Sequence, residues 1–580
     1  MSMRLSTTFK TRDPLRQRRR NESSGYVAIL VALMITLLFS MAAFAVDVGN
    51  WYLTAARLQK AADAGALAGV PQLPGYPANA YSIAKKFTAY NGYTDGSNAT
   101  VQTSLDGQST RLRVTVTTTV NNVFGGLLGI PQTTISRTAV ADYAGPVPMG
   151  SPCNEFGNDP DSPSSGQTRG TPCNSVTGQF WANVGSPQGT KMSGDAFQDN
   201  NCTGTPNGCT TGSGPNTDYD PNGYFYEVTL TQPVSNLVIQ AFDPAWVSVG
   251  DLCDASGNLS GASAIPATKV GFLDGPKPGD PPSAVRINPT TRYATGSTSP
   301  YCTGDVNLSG GTPMATQYTV RNPGPDPWNP LSFQPQAGCQ QTFPGRSVPL
   351  STYLNTTTSQ YQNDTDQYDA SFASNGGYTA KVFRQWVPLC YYSYAPAGTY
   401  LVQVKTNGVG NDLAGGHNRF ALRAYSTTDS TASNNISISG YNKMAIYANL
   451  PNANTTFYLA RIPSGAAGQI LDIDLYDIGD STQPGRITVV APPDSGVTFT
   501  NCTGVGVVNG PLTNCSVIAN SSFNGKWQTI SIQVPSNYTC QDNVGTACWV
   551  RLNYNYGSGA PSDTTSWRAS IEGDPVRLVE

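Results

Sequence analysis

From Gly25 to Val46 the chain runs twenty-two residues without a charge, GYVAILVALMITLLFSMAAFAV. As a helix this stretch is about 33 Å long, enough to cross a hydrocarbon core of about 30 Å. Arg4, Lys10, Arg12, Arg16, Arg18, Arg19 and Arg20 precede it against Asp13 and Glu22. The excess of basic charge holds residues 1–24 on the cytoplasmic side and sends everything after the span outside. A nucleic-acid-binding arm is the competing reading of the arginines. Their position directly against the apolar segment sets it aside, and no nucleic-acid partner is expected.

Helical character continues past the span, because VDVGNWYLTAARLQKAADAGALAG contains no proline before Pro71. Trp51, Ala55, Leu58, Ala62 and Gly65 share one face, and Arg57, Lys60 and Asp63 share another. Trp51 and Tyr52 stand where an interfacial aromatic anchor belongs. The small residues Ala55, Ala62, Gly65, Ala66 and Gly69 are expected to let partner helices approach closely. Ala43-Phe44-Ala45 has the form of a signal-peptidase site, and cleavage after Ala45 would make the protein secreted. The uninterrupted helix favours a retained single-pass anchor.

Here the residues carry a resemblance. The run SSGYVAILVALMITLLFSMAAFAVDVGNWYLTAARLQKAADAGALAG resembles the N-terminal segment of TadE/TadG-like Flp pilus-assembly proteins. Asp47, Gly49, Trp51, Leu58, Gln59, Ala61, Ala62, Asp63 and Ala64 fall on the shared pattern, and the likeness extends to about residue 145. It implies a small pilin-like α+β region at 47–145, with a sheet packed on the extended helix. A short helix from Ala78 to Tyr90 with an Asn91-Gly92 stop, then two alternating runs from Arg111 and Thr133, would build it. It also implies pilus-assembly or pilin-like proteins as partners through the N-terminal helix. The chain departs from related patterns twice. Leu30 stands where a prepilin peptidase substrate carries Glu, and neither Asp369-Ala370-Ser371 nor Asp429-Ser430-Thr431 makes the metal motif of a von Willebrand factor A domain.

Charged residues are 12% of the chain, about half the usual share, while Gly numbers 59, Pro 43 and Tyr 29. That balance belongs to turn-rich β structure. All twelve cysteines lie at or beyond Cys153, and no zinc-like spacing occurs, so disulfides in an oxidising compartment are expected. Cys202/Cys209, Cys502/Cys515 and Cys540/Cys548 are spaced to clip local loops. Residues 146–222 read as a Gly/Pro/Asn-rich linker with short strands such as QFWANV. Alternating runs then predict antiparallel, jelly-roll-like β-sandwiches at 223–440 and 441–580. Tyr226–Pro244 and Phe457–Asp480 echo one another, each a strand, a loop and a second strand ending in an aromatic-Asp pair. The fold class is therefore mainly β behind a transmembrane helix.

Asp472, Asp474, Asp477 and Asp480 place four carboxylates within nine residues, a grouping that could supply calcium with oxygen ligands. A solvated strand face ending in a turn is the preferred reading, and no other cofactor is suggested. The single histidine, His417, reads as a loop residue. No nucleophile elbow, HExxH or Walker A loop is present, so no catalytic residue is assigned and the chain is expected not to be an enzyme. The reading is a membrane-anchored component of a Flp/Tad-type pilus or its assembly system, with β-sandwiches displayed for interaction or adhesion. A stand-alone adhesin that binds surface glycans is the alternative, and a secreted glycan-active enzyme is a lesser one.

Overall fold

The computed structural model of the chain describes residues 14–73, 77–106, 108–143, 146–158, 180–203, 209, 213–246, 272–274, 286–288, 303–307, 314–345, 354–355, 360–361, 386–406, 415–449, 454–542, 545–571 except 558 and 560, and 576–579. Arg4, Lys10, Arg12 and Asp369 lie outside them. Helix α1 spans Pro14–Gly69, with proline at its first position, where the missing N–H costs nothing. From Tyr26 to Val46 its side chains are almost all exposed. Beyond Val46 one face turns inward: Ala55, Leu58, Ala62 and Ala66 are buried at helical spacing, and Arg57 and Lys60 remain outside. Helix α2 (Pro77–Tyr90) packs Ala80 and Ala84 against that face and stops at Asn91-Gly92, where Gly92 takes φ +92°.

Strands β1 (Thr100–Asp106), β2 (Gln108–Asn121) and β3 (Gln132–Tyr143) form an antiparallel sheet on the two helices. Leu112, Val114 and Val116 alternate inward along β2. The small α+β module implied by the resemblance is present.

The rest is a pair of large antiparallel sheets sharing one hydrophobic core. Their strands are β4 (Pro148–Met149), β5 (Trp181–Gly185), β6 (Tyr224–Leu230), β7 (Val234–Phe242), β8 (Ala315–Arg321), β9 (Pro335–Pro344), β10 (Trp386–Ala395), β11 (Gly398–Lys405), β12 (Gly416–Ser426) and β13 (Ile436–Tyr441). There follow β14 (Lys443–Asn449), β15 (Asn454–Arg461), β16 (Ile470–Tyr476), β17 (Gly485–Val490), β18 (Ser516–Ala519), β19 (Trp527–Gln533), β20 (Trp549–Asn555) and β21 (Ser562–Ile571). A last strand, β22 (Val576–Leu578), returns to pair with β3 of the N-terminal module.

One sheet runs β10-β7-β12-β5-β14-β21-β16-β19, extended by short strands at Cys502–Gly506 and Gly510–Pro511. The other runs β9-β8-β11-β6-β13-β4-β15-β20-β17-β18. Numbered from its own start, β5 to β12 pairs as 1-8-3-6 in one sheet and 2-7-4-5 in the other, which is jelly-roll connectivity. The series β14 to β21 repeats that order strand for strand. The chain therefore holds two jelly rolls side by side, consistent with the mainly β, jelly-roll-like expectation. The sequence echo is real in space: β6-β7 and β15-β16 are equivalent pairs. Each ends in a buried aspartate with left-handed backbone, Asp243 (φ 54°) and Asp477 (φ 59°).

The described part of residues 146–222, read from sequence as a linker with short strands, does contribute strands to both sheets. It supplies β4 and β5 to the interior of the two sheets, and β5 falls on the QFWANV run that reads as a short strand. The two sandwich regions expected at 223–440 and 441–580 share a single core cluster that passes from one to the other. The three close cysteine pairs are bonded as expected, and Cys339–Cys390 joins β9 to β10 across the two sheets. That bond closes 51 residues and stabilises by roughly 4 kcal/mol in the chain-entropy account. Replacing both Cys339 and Cys390 by alanine should lower the urea midpoint clearly, with the same fold by circular dichroism.

Candidate functional site

Two regions bring together the residues that could act. The first is the junction where α1 leaves its exposed apolar half. Asp47 is buried there, and its carboxylate accepts the backbone N–H groups of Val123 (2.7 Å), Phe124 (3.0 Å) and Gly125 (2.7 Å). Trp51 donates its indole N–H to Asn122 Oδ1 at 2.7 Å. Helix and β2–β3 loop are thereby pinned at one level. Asp47 and Trp51 stood in the sequence pattern, but their loop partners lie more than seventy residues away and no local spacing announces them.

The small-residue face differs from the expectation of a partner-helix surface. Ala55, Ala62, Gly65, Ala66 and Gly69 are buried against the chain's own α2 and sheet. A Cβ on Gly65 would stand 2.8 Å from Thr88 Cγ2, and one on Gly69 would stand 2.6 Å from both the Ala80 carbonyl oxygen and Leu112 Cδ2. Close approach is indeed what these residues permit, but α2 fills the place that a partner was expected to take.

Residues 25–78 match the family model described as "Putative Flp pilus-assembly TadE/G-like". The N-terminal module carries a Tad domain. No curated protein and no solved structure matches the chain. The Tad match covers the apolar span, the buried half of α1 and the start of α2, so it includes Asp47 and Trp51 but not their loop partners at 122–125.

The second region is polar and lies between the jelly rolls. Asp195 accepts from Gly185 N (2.7 Å), Asn183 Nδ2 (3.1 Å), Tyr224 Oη (2.6 Å), Phe197 N (3.1 Å) and Gln198 N (3.0 Å). Beside it Asp199 Oδ2 meets His417 Nε2 at 2.8 Å, with both side chains almost wholly buried. Burial, then the neighbouring Asp195 charge, push the Asp199 carboxyl well above its ordinary range. His417 is thus a core residue of β12 and not the expected loop residue. Its partner lies 218 positions away, beyond anything spacing could reveal.

The four carboxylates considered as calcium ligands do not converge. Asp472 and Asp474 point to the outer face of β16, where Asp472 accepts from Ser531 Oγ (2.6 Å) and Asp474 from Thr529 Oγ1 (2.6 Å) and Arg568 Nε (2.8 Å). Asp477 follows the strand end, turns inward and accepts the Gly525 N–H, while Asp480 is exposed. Strand alternation and the left-handed turn at Asp477 separate them, which fits the preferred reading of a strand face ending in a turn. Among the described residues the group with metal-ligand spacing is Asp494, Cys540 and Cys548, and its two sulfurs are bonded to each other.

Two expected outcomes follow from this geometry. Gly69→Val should force the Tad helix away from α2 and Leu112 and destabilise by roughly 1–3 kcal/mol, as overpacked cores do; thermal melting and protease sensitivity report it. Burial raises Asp563 to about 7 from its ordinary 3.8. Between those values the folded chain keeps a proton that the unfolded chain has released. This contribution is therefore full below about pH 4 and lost as pH rises through 7. Asp563→Asn keeps an acceptor for Gly479 N and Tyr554 Oη. Melting temperatures taken from pH 4 to pH 8 should fall less steeply for the variant than for the parent.

Proposed function

We propose that the chain is a non-enzymatic, membrane-anchored component of a Flp/Tad-type pilus or of its assembly system, and that it displays its two jelly rolls outside the cytoplasm. One observation carries this reading. The helix that matches the Tad family model is a single unbroken element, exposed and apolar over one stretch and buried in its own domain over the next. An exposed apolar face of that length is satisfied by lipid, and the buried half fixes a folded domain directly onto the span. Disulfides beyond the span support an oxidising, extracytoplasmic setting. Partner proteins of the assembly system would meet the exposed half of α1 or the β region, since the small-residue face is already covered.

The jelly-roll order gives a second reading its specific support, because that architecture also builds lectin domains. In it the chain is a stand-alone adhesin whose β region binds surface glycans from a Tad-like anchor.

Mass spectrometry of the protein from membranes tests the anchor. A mature start at Met1 or Ser2 is expected, a start at Val46 would mean secretion, and a start at Tyr26 would mean pilin-type processing. Deleting the gene then separates the two functions. Loss of Flp filaments, restored by the full chain, is the expected result; intact filaments with lost glycan adhesion would favour the adhesin.

A further inference from the structure

The β2–β3 loop of the Tad domain reads VFGGLLGI from Val123 to Ile130, without a charge. Val123 is 63% exposed, Phe124 38% and Ile130 57%, an apolar cluster at the tip of a soluble-looking sheet. The loop does not stand free in solvent. With Phe124 on one side and Ile35, Phe39, Ala43 and Val46 of α1 on the other, it encloses an open groove of about 500 Å³. Those helix positions belong to the apolar run Gly25–Val46. Phe39 lies seven residues inside its end, about 10 Å along the axis.

An irregular loop is normally kept out of a bilayer by its unsatisfied backbone donors. Here five of them, those of Val123, Phe124, Gly125, Gly129 and Ile130, are satisfied. Asp47 takes the N–H groups of Val123, Phe124 and Gly125. Ile130 N bonds the Gly125 carbonyl at 2.9 Å, and Gly129 N bonds the Gly126 carbonyl at 3.3 Å. Gly125 has no room for a side chain, since a Cβ would stand 2.8 Å from the Ile130 carbonyl oxygen. The loop is internally bonded, with Val123, Phe124 and Ile130 turned out, and hangs on the residue that ends the span.

We infer that this loop is a second membrane-contacting element, a wedge seated among the upper acyl chains of the leaflet nearest the jelly rolls, with lipid filling the groove between Phe124 and α1. Continuity with the apolar face of α1 identifies the occupant as lipid: the groove opens at acyl depth on a helix already facing hydrocarbon. Two contacts then fix the angle of the Tad domain to the bilayer, where a lone helix would leave it free to swing. The inference rests on α1 being the membrane anchor.

The test uses the full chain in phosphatidylcholine vesicles whose acyl chains carry bromine at carbons 6 and 7. Phe124→Trp and Ile130→Trp report the loop, Phe39→Trp the span, and Val505→Trp an exposed strand of the second jelly roll; each is read as added emission over the parent. The loop tryptophans should lose most of their added emission to bromine, as Phe39→Trp does, and resist aqueous iodide. Val505→Trp should respond to iodide alone. Loop emission quenched by iodide and spared by bromine, with Phe39→Trp still quenched by bromine, overturns the wedge and leaves the anchor standing. Loop emission reached by neither quencher overturns it in favour of a protein cover, such as a second copy. If Phe39→Trp also escapes bromine, anchor and wedge fall together.

Discussion

The pairing of β5 with β14 is the contact on which the rest of the β region depends. A jelly roll ends each sheet in an edge strand with open N–H and C=O groups, and an open edge is a template for aggregation. In this chain the first strands of the two units, β5 and β14, close each other, with Ala182 opposite Ile446 and Trp181 opposite Tyr447. On the other sheet β6 and β15 are joined through β13 and β4. There the strands are exchanged: β4, from before the first unit, pairs with β15 of the second, and β13, from before the second, pairs with β6 of the first. Neither unit has its full complement of neighbours without the other, and a single core is the consequence.

Polar side chains buried at the same seam reinforce it. Arg419 of β12 stacks on Tyr447 of β14 with 3.5 Å from guanidinium to ring centroid, and donates to Thr564 Oγ1 of β21 at 2.8 Å. Gly194 holds φ +102° so close to Thr564 that any side chain would collide with its carbonyl. The hydroxyl of Ser566 donates to the Gly194 carbonyl and accepts from Ala196 N. Burying Asp195, Asp199 and His417 costs desolvation, which the five donors to Asp195 and the Asp199–His417 contact offset. Such a network rewards one relative placement of the two units above all near alternatives.

The topology also ties this body to the Tad domain twice. The chain leaves the small sheet after β3 and comes back to its edge as β22, so the jelly rolls are inserted between two neighbouring strands of one sheet. Gln72, just past α1, donates to the Pro325 carbonyl at 2.6 Å in the first unit. From Asp47 to Gly69 the buried half of α1 extends about 33 Å. The first jelly roll therefore meets the Tad domain at the end of α1 remote from the span. The helix length thus separates the first jelly roll from the apolar stretch.

Much of this was legible in the residues themselves. Charge and apolar length define the span, helical spacing defines the buried face of α1, and strict alternation in runs such as Leu471-Asp472-Ile473-Asp474-Leu475 defines strands, because each depends on neighbours a few positions apart. The aromatic-Asp echo even exposed the duplication, since both copies end in the same left-handed turn. Pairing across long separations was not legible. That β4 and β5 sit in the sheet interior, that His417 meets Asp199, and that Asp47 carries the β2–β3 loop depend on contacts far apart in the chain. Sequence determined which surfaces are apolar and which segments alternate. Tertiary structure decided what covers them: it gave the small-residue face of α1 to α2, sent Asp472 and Asp474 away from Asp477, and made two sandwiches into one, because burial and edge closure are settled among all strands together.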